Sequence, residues 1–181
     1  MSRKESSREI IIDSAEAVVT EDGAAHLTLD AVAKKAGVSK GGLLHHFHSK
    51  AALLQSMLAR LLARVDKDKA EFRNELGDSR AVDLQAHVLA AFRKPPYRKQ
   101  VAAALLAAGA NDPKLLRPVQ EWHARQHLEM AKTKRRPMRA AAIMMAVDGL
   151  WLNELLQVSP LNSRERKQLM QELLELARSS A

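Results

Sequence analysis

Apolar residues recur every three or four positions along nearly the whole chain, which is the spacing of one face of an α-helix. The first stripe predicts a helix over about residues 4–22, which Gly23 ends. No convincing run of alternating β-branched residues indicates a strand. The pattern therefore predicts an all-α protein of about nine helices. After the first, the predicted helices begin at Thr28, Ser39, Ser49, Val82, Tyr97, Asn111, Met138 and Ser163.

The second and third of these helices are short and are joined by a tight turn, which predicts a helix-turn-helix. Thr28 is placed to cap the first of the pair, and Gly37 is placed to end it in a left-handed conformation. Ser39 opens the next helix, which contains Gly41 and Gly42. Because a glycine inside a helix costs about 1 kcal/mol relative to alanine, the pair indicates that the backbone closely approaches another molecule.

The charge of the chain changes this picture only in part. A formal net charge of +8 at pH 7 favours a polyanion such as nucleic acid as a partner. Residues 1–50, however, contain seven basic and seven acidic side chains, so the motif and not the overall charge identifies the DNA-binding part. The absence of cysteine excludes disulfides and thiolate metal sites. With no signal peptide or membrane span in the pattern, we expect a cytoplasmic protein that has no membrane partner.

Several short motifs follow one another in the N-terminal third. They are Ile11-Ile12-Asp13-Ser14-Ala15 in the first helix, Ala36-Gly37-Val38-Ser39 at the turn, and His46-Phe47 with Lys50 at the junction to the fourth helix. In this order they resemble the TetR family of bacterial transcriptional regulators. The resemblance implies a helix-turn-helix DNA-binding domain of three helices over residues 1–50. It also implies a helical effector-binding and dimerisation domain over residues 51–181.

The predicted DNA-binding residues surround the recognition helix, which presents about three or four side chains to the major groove. Lys40 and Lys50 are expected to pair with phosphates, and Gly41 lets the helix lie close to the duplex. The full set is Thr28, Ser39, Lys40, Gly41, Gly42, Leu44, His45, His46 and Lys50. At Leu44 and His45 the chain departs from the aromatic or basic pair of many relatives.

Each of these residues also has a purely structural interpretation. Thr28 and Ser39 would then only cap helices, and Lys50 would be a solvated lysine. Leu43 and Phe47 are predicted to pack inward, against Val32 and Ile11 or their neighbours. His45, His46 and His48 do not predict a metal site, because adjacent helical side chains point about 100° apart.

In the C-terminal part, the resemblance implies a cavity for a small effector, lined by residues of the middle helices. The candidate ligand-binding residues are Trp122, His123, His127, Met145, Asp148 and Trp151. Asp148 is the most unusual of them, because an acid on a mostly apolar helix needs a partner. It either binds the effector or pairs with an arginine. A stripe of aromatic and methionine side chains is also common in an ordinary core.

The resemblance further implies a homodimer formed through the last two helices. Small and apolar residues there fit an interface: Ala142, Ala146 and Gly149 on one helix, and Leu169, Met170, Leu173, Leu174 and Ala177 on the other. A two-fold dimer would separate the recognition helices by about 35 Å, one turn of duplex, and so predicts a palindromic operator of double-stranded DNA.

The sequence hypothesis is therefore a ligand-responsive transcriptional regulator, a repressor that a small-molecule effector releases from its operator. One alternative is a constitutive DNA-binding or protein-interaction module without an effector. The other is a helical-bundle enzyme, but no nucleophile with a neighbouring base, carboxylate pair or phosphate loop stands out. We expect no enzymatic activity, no cofactor and no bound metal.

Overall fold

The computed structural model describes residues 3–78, 81–93, 99–133 and 137–179. Every regular element in these ranges is helical, which confirms the predicted all-α class. The nine α-helices of the described ranges are α1 (Arg3–Glu21), α2 (Leu29–Ala36), α3 (Lys40–His46), α4 (Lys50–Leu76), α5 (Val82–Phe92), α6 (Lys99–Asn111), α7 (Arg117–Thr133), α8 (Pro137–Leu155) and α9 (Ser163–Arg178). Short 3₁₀ turns occupy Ala24–His26 and Pro113–Leu116.

The start of α7 differs from the prediction, and so does the end of α6. Gly109 was expected to close α6, but the helix continues to Asn111. A Cβ atom on Gly109 would lie 2.3 Å from a methyl carbon of Leu116, so the glycine is there for packing and not as a helix stop. The chain then forms the 3₁₀ turn, in which the Asp112 side chain accepts the Lys114 N–H, before α7 begins.

The described residues group into two compact units. The first contains those of Met1–Leu61 and Tyr97–Gln120, and the second contains those of Leu62–Pro96 and Glu121–Ala181. The helices α4 and α7 each contribute residues to both units. The predicted domains 1–50 and 51–181 remain a prediction.

The core of the first unit joins α1 to the helix-turn-helix. Leu43 and Phe47 are buried in one cluster with Val32 and Ile11, which confirms their predicted inward packing. The cluster also includes Leu53 from α4, together with residues of α6. The helix-turn-helix therefore rests on a continuous apolar base.

The core of the second unit lies between α5, α8 and α9. Leu84 of α5 and Val147 of α8 are buried there together with Leu173 and Ala177 of α9. Leu173 and Ala177 were predicted to form part of a dimer interface. That prediction is wrong for both, because the apolar face of α9 is covered by helices of its own unit.

Candidate DNA-binding surface and effector cavity

Local hydrogen bonds form the turn between α2 and α3. The Thr28 hydroxyl accepts the Ala31 N–H at 3.1 Å, and the Ser39 hydroxyl accepts the Gly42 N–H at 3.0 Å. Gly37 has φ 66° and ψ 28°, the left-handed conformation that glycine adopts without strain. These contacts cap α2 at both ends and fix the direction in which α3 leaves the turn.

The helix α3 presents one face to the core and leaves the other open. Leu43 is fully buried, whereas Lys40, His45 and the 39%-exposed Leu44 are exposed. Gly41 and Gly42 are exposed as well. The open face is therefore the part of the first unit that matches a recognition helix.

The two glycines of α3 differ in their surroundings. A Cβ atom on Gly42 would lie 3.3 Å from the Ser39 hydroxyl oxygen, the atom that caps the helix. A Cβ atom on Gly41 would come no closer than 4.0 Å to the same oxygen. Packing within the chain thus gives a reason for glycine at position 42 and none at position 41. The open position fits a backbone that approaches an external partner.

Charged side chains surround this face. The Lys40 ammonium lies 3.0 Å from the Asp30 carboxylate of α2, and both side chains are largely exposed. An exposed pair of this kind contributes about 0–1 kcal/mol, so a phosphate can replace the aspartate. Lys50 is exposed at the start of α4, where the Ser49 hydroxyl caps the helix. The half-buried His46 lies edge-to-face with His45, at 5.5 Å between ring centres.

One arginine of α4 connects that helix to three carboxylates of α1. Arg60 Nη2 lies 2.6 Å from Glu16 Oε1, and Arg60 Nη1 lies 2.7 Å from Asp13 Oδ1 and 3.3 Å from Glu9 Oε2. The arginine and Glu16 are largely buried. The network therefore holds α1, and with it the base of the helix-turn-helix, against the first turns of α4.

The second unit contains a cavity of about 390 Å³ between α7 and α8. Its lining residues are His123, His127, Ala141, Met144, Met145 and Asp148. Four of the six predicted ligand-binding residues are thus brought together. Trp122 and Trp151 are not part of the lining.

Trp122 instead lies in a buried polar cluster that sequence reasoning missed. Its indole N–H donates to Asp66 at 2.9 Å, and its ring stacks on His87 with 6.2 Å between ring centres. The Lys69 ammonium donates to the Gln126 side-chain carbonyl and lies 5.7 Å from the centre of the indole ring. Burial lowers the pKa of Lys69.

His87 is the least satisfied member of that cluster. It is 3% exposed, and neither ring nitrogen has a hydrogen-bond partner among the described residues. Burial lowers the pKa of His87 to about 3, so the ring is neutral at physiological pH. A lone histidine on the apolar helix α5 was the signal in the sequence. Lys69 gave none, since it stands in a charged stretch typical of a solvated surface.

Among the described residues, the basic side chain within 4 Å of Asp148 is a histidine, and not an arginine. The Asp148 Oδ2 lies 3.8 Å from His123 Nδ1, beyond hydrogen-bond distance. Both side chains are about one-third exposed. Burial raises the pKa of the Asp148 carboxyl.

A stripe of apolar side chains on α8 faces away from the core of its unit. Met138 is 70% exposed and Met145 is 62% exposed. The other members are Ala142, Gly149, Leu152 and Leu156. A Cβ atom on Gly149 would meet nothing within 4 Å, so the surface there is open.

Neither a metal site nor a membrane-spanning helix is present in the described parts of the chain. No group of three or more His, Asp or Glu residues in those parts could hold a metal ion. No helix in them has both the length and the apolar character needed to cross a membrane.

Two protein families match the chain in succession. Residues 11–57 match bacterial regulatory proteins of the tetR family, and residues 83–178 match the tetracyclin repressor-like C-terminal domain. The second match alone covers more than half of the chain. The chain belongs to the TetR family. It is therefore grouped with transcriptional regulators, not with enzymes.

Individual relatives agree with this assignment. The chain is 31% identical to the HTH-type transcriptional regulator SrpR of Pseudomonas putida over 112 residues. The matched segment makes up 62% of this chain and 51% of SrpR. Among solved structures, a transcriptional regulator of Rhodococcus sp. Rha1 has a TM-score of 0.73 at 22% identity, covering 95% of this chain and 96% of that one. The multidrug binding protein EbrR in complex with imidazole has a TM-score of 0.71 at 24% identity, covering 92% and 93%. These structures share the fold.

Proposed function

We propose that this TetR-family chain is a repressor that binds a palindromic operator as a homodimer and leaves it when a small-molecule effector binds. Its site of action would be double-stranded DNA in the cytoplasm. The observation that carries the proposal is the open face of α3, which exposes Lys40, Leu44 and His45 above a firmly packed base. A recognition helix needs this combination of a free outer face and a fixed direction.

Some contacts to DNA position the protein on the duplex, and others determine which base sequence it recognises. Lys40 and Lys50 would pair with phosphates, which gives affinity and salt dependence. His45 would donate to a base edge or a phosphate, and Leu44 would contact an apolar base edge. Gly41 would let the backbone lie close to the duplex.

The exposed stripe of α8 supports dimerisation. Its residues at 138, 142, 145, 149, 152 and 156 alternate in spacing between four and three, which is the seam of two packed helices. Ala142 and Gly149 are small enough to allow close crossing of two copies. Whereas the sequence predicted an interface through the last two helices, the exposed stripe supports one mainly on α8.

The cavity between α7 and α8 supports a small-molecule effector. EbrR, which shares the fold, is described in complexes with imidazole, ethidium and malachite green. The helix α4 contributes residues 50–61 to the first unit and 62–76 to the second, so it is a covalent route by which an effector could act on the DNA-binding unit.

Fluorescence anisotropy with a labelled duplex from upstream of the chain's own gene tests DNA binding. We expect affinity for this duplex to exceed that for a scrambled duplex by at least about a thousandfold at physiological salt. Equal affinity for both duplexes would contradict the proposal. A reporter gene behind the same DNA should be expressed less when the regulator is present, whereas increased expression would indicate an activator.

A double variant, Lys40→Ala with His45→Ala, tests the recognition surface. We expect it to weaken operator binding by at least about tenfold, because it removes a phosphate contact and a polar contact. Lys167→Ala is the matched control, since it removes an exposed lysine of α9 in the second unit. Operator binding that survives the double variant unchanged would overturn the role assigned to α3.

A further inference from the structure

The residues that line the effector cavity indicate the chemical class of its ligand, an inference that rests on the proposed effector-binding function. Ala141, Met144 and Met145 form an apolar wall along α8. Methionine side chains are flexible and polarisable, so this wall adapts to flat or bulky apolar groups. A volume of about 390 Å³ is large enough for a small organic molecule, since ligand pockets span about 300–1,000 Å³.

The charge in the lining comes from one carboxylate. Asp148 lines the cavity, and the basic side chain that the described residues place within 4 Å of it is His123, whose Nδ1 lies 3.8 Å from the carboxylate, too far for a hydrogen bond. A carboxylate held partly out of water without a close donor gains free energy when a cation or an N–H donor reaches it. Burial already raises the pKa of this carboxyl, which shows that its surroundings disfavour the unpaired charge.

The lining disfavours an anionic ligand. Of the six described residues that line the cavity, none is a lysine or an arginine, and the two basic side chains are histidines. An anion would therefore meet the Asp148 carboxylate without a permanent positive charge to balance it. The buried Lys69 is not part of this lining.

We propose that the cavity between α7 and α8 binds a hydrophobic organic cation, with Asp148 as its counter-ion and the methionines of α8 against its apolar body. His123 lies beside the same carboxylate and would be displaced or turned by the ligand. A hydrophobic amine or an aromatic cation has the required combination of one positive charge and an apolar surface.

Three probes with the same ring and different charge test this proposal: 2-naphthylmethylammonium, 2-naphthylmethanol and 2-naphthoate. Binding is measured by naphthalene fluorescence and by calorimetry on the full chain at neutral pH. We expect the ammonium probe to bind at least about tenfold more tightly than the alcohol, and the carboxylate probe to bind least. Equal or tighter binding of the alcohol or of the naphthoate would overturn the proposal.

Asp148→Asn should remove the preference for the ammonium probe while leaving the affinity for the alcohol unchanged. Retained alcohol binding shows that the cavity of the variant is still folded. Asp83→Asn is the matched control, because it removes one carboxylate of the same unit that does not line the cavity, and it should keep the preference. A preference that persists in Asp148→Asn would overturn the role of this carboxylate. Ala141→Phe should weaken all three probes by filling the cavity.

Measuring operator binding in the presence of each probe distinguishes the proposed cation site from the proposed effector-controlled repressor, on which it rests. Release of DNA by the ammonium probe alone, lost in Asp148→Asn, supports both. If the ammonium probe binds in an Asp148-dependent way but the protein stays on DNA, the cation site is supported and the effector-controlled repressor is contradicted. Release of DNA by naphthoate supports the effector-controlled repressor and overturns the cation site.

Discussion

The two units differ in how closely their buried polar and charged side chains are paired with partners. In the first unit, Arg60 is surrounded by carboxylates of α1, with Glu16 at 2.6 Å, so the buried charge is balanced. In the second unit, Lys69 donates to a neutral amide and His87 has no hydrogen-bond partner among the described residues. Asp148, at the cavity, likewise lacks a close donor in the part of the chain that the structure describes. Carboxylates close to a buried cation fix a scaffold, whereas buried polar groups without a close partner retain free energy that a ligand can use.

Replacing the two buried cations provides the strongest test of this contrast. Arg60→Met should destabilise the chain by about 3 kcal/mol, because it breaks a largely buried ion pair with Glu16. Lys69→Met should change stability by less than about 1 kcal/mol, because the ammonium donates to a neutral amide and the attraction of Asp66 does not offset its desolvation, which lowers its pKa. Urea unfolding followed by circular dichroism measures both. Similar losses in the two variants would show that the units do not differ in this way.

The second test uses acid. His87 has a pKa of about 3 in the folded chain, against an ordinary value of 6.5. Since the folded-state pKa is lowered, the contribution to stability is complete above pH 6.5 and is lost as the pH falls from 6.5 towards 3. The loss approaches about 1.4 kcal/mol for each pH unit.

His87→Leu should therefore show a weaker decline in stability over this range than the native chain. Unfolding free energies at several pH values between these limits measure the difference. His48→Leu, which changes an exposed histidine of the other unit, is the control and should follow the native chain. Parallel pH profiles for the native chain and His87→Leu would show that His87 is not the buried group responsible.

Two glycines allow a comparison between a position required for internal packing and a position proposed to approach DNA. Gly109→Ala should destabilise the chain by about 1–3 kcal/mol, because the new methyl group would collide with Leu116. Gly41→Ala should stabilise the chain by about 0.5–1 kcal/mol through helix propensity and still weaken operator binding. Thermal unfolding and anisotropy are measured on the same preparations. A Gly41→Ala variant that binds DNA as well as the native chain would remove the argument for close approach at that position.

The smallest expected effect concerns the ion pair at the recognition helix. Asp30→Asn frees Lys40 from a carboxylate at 3.0 Å and removes a negative charge near the duplex. We expect operator affinity to rise by up to about fivefold, the upper range for an exposed pair. Asp22→Asn, which removes an exposed carboxylate just after α1, serves as the charge-matched control. Unchanged affinity in Asp30→Asn would show that the pair is absent when DNA is bound.

Local features of the chain were predictable, and features that depend on packing between distant segments were not. The caps at Thr28 and Ser39 and the left-handed Gly37 involve residues within three or four positions of each other, so the sequence alone predicts them. The role of Gly109 depends on Leu116 after a turn, and sequence reasoning therefore mistook it for a helix stop. The apolar face of α9 was recognised, but amphipathicity does not tell whether the covering helix belongs to the same chain.

The same limit applies to the cavity. The family resemblance made His123 and Asp148 candidates, and Asp148 stood out because an acid on a mostly apolar helix needs a partner. It also selected Trp122, which is instead buried beside His87 and bonded to Asp66. Only the folded structure shows which side of α7 lines the cavity.

Hydroxyl-radical footprinting of the chain on the DNA upstream of its own gene tests the central claim most directly, namely that two copies place α3 in successive major grooves. The account predicts two protected segments related by a two-fold axis and centred about 10 base pairs apart, both of which disappear in the variant with Lys40→Ala and His45→Ala. A single protected segment, or a pair that the double variant leaves intact, would contradict it.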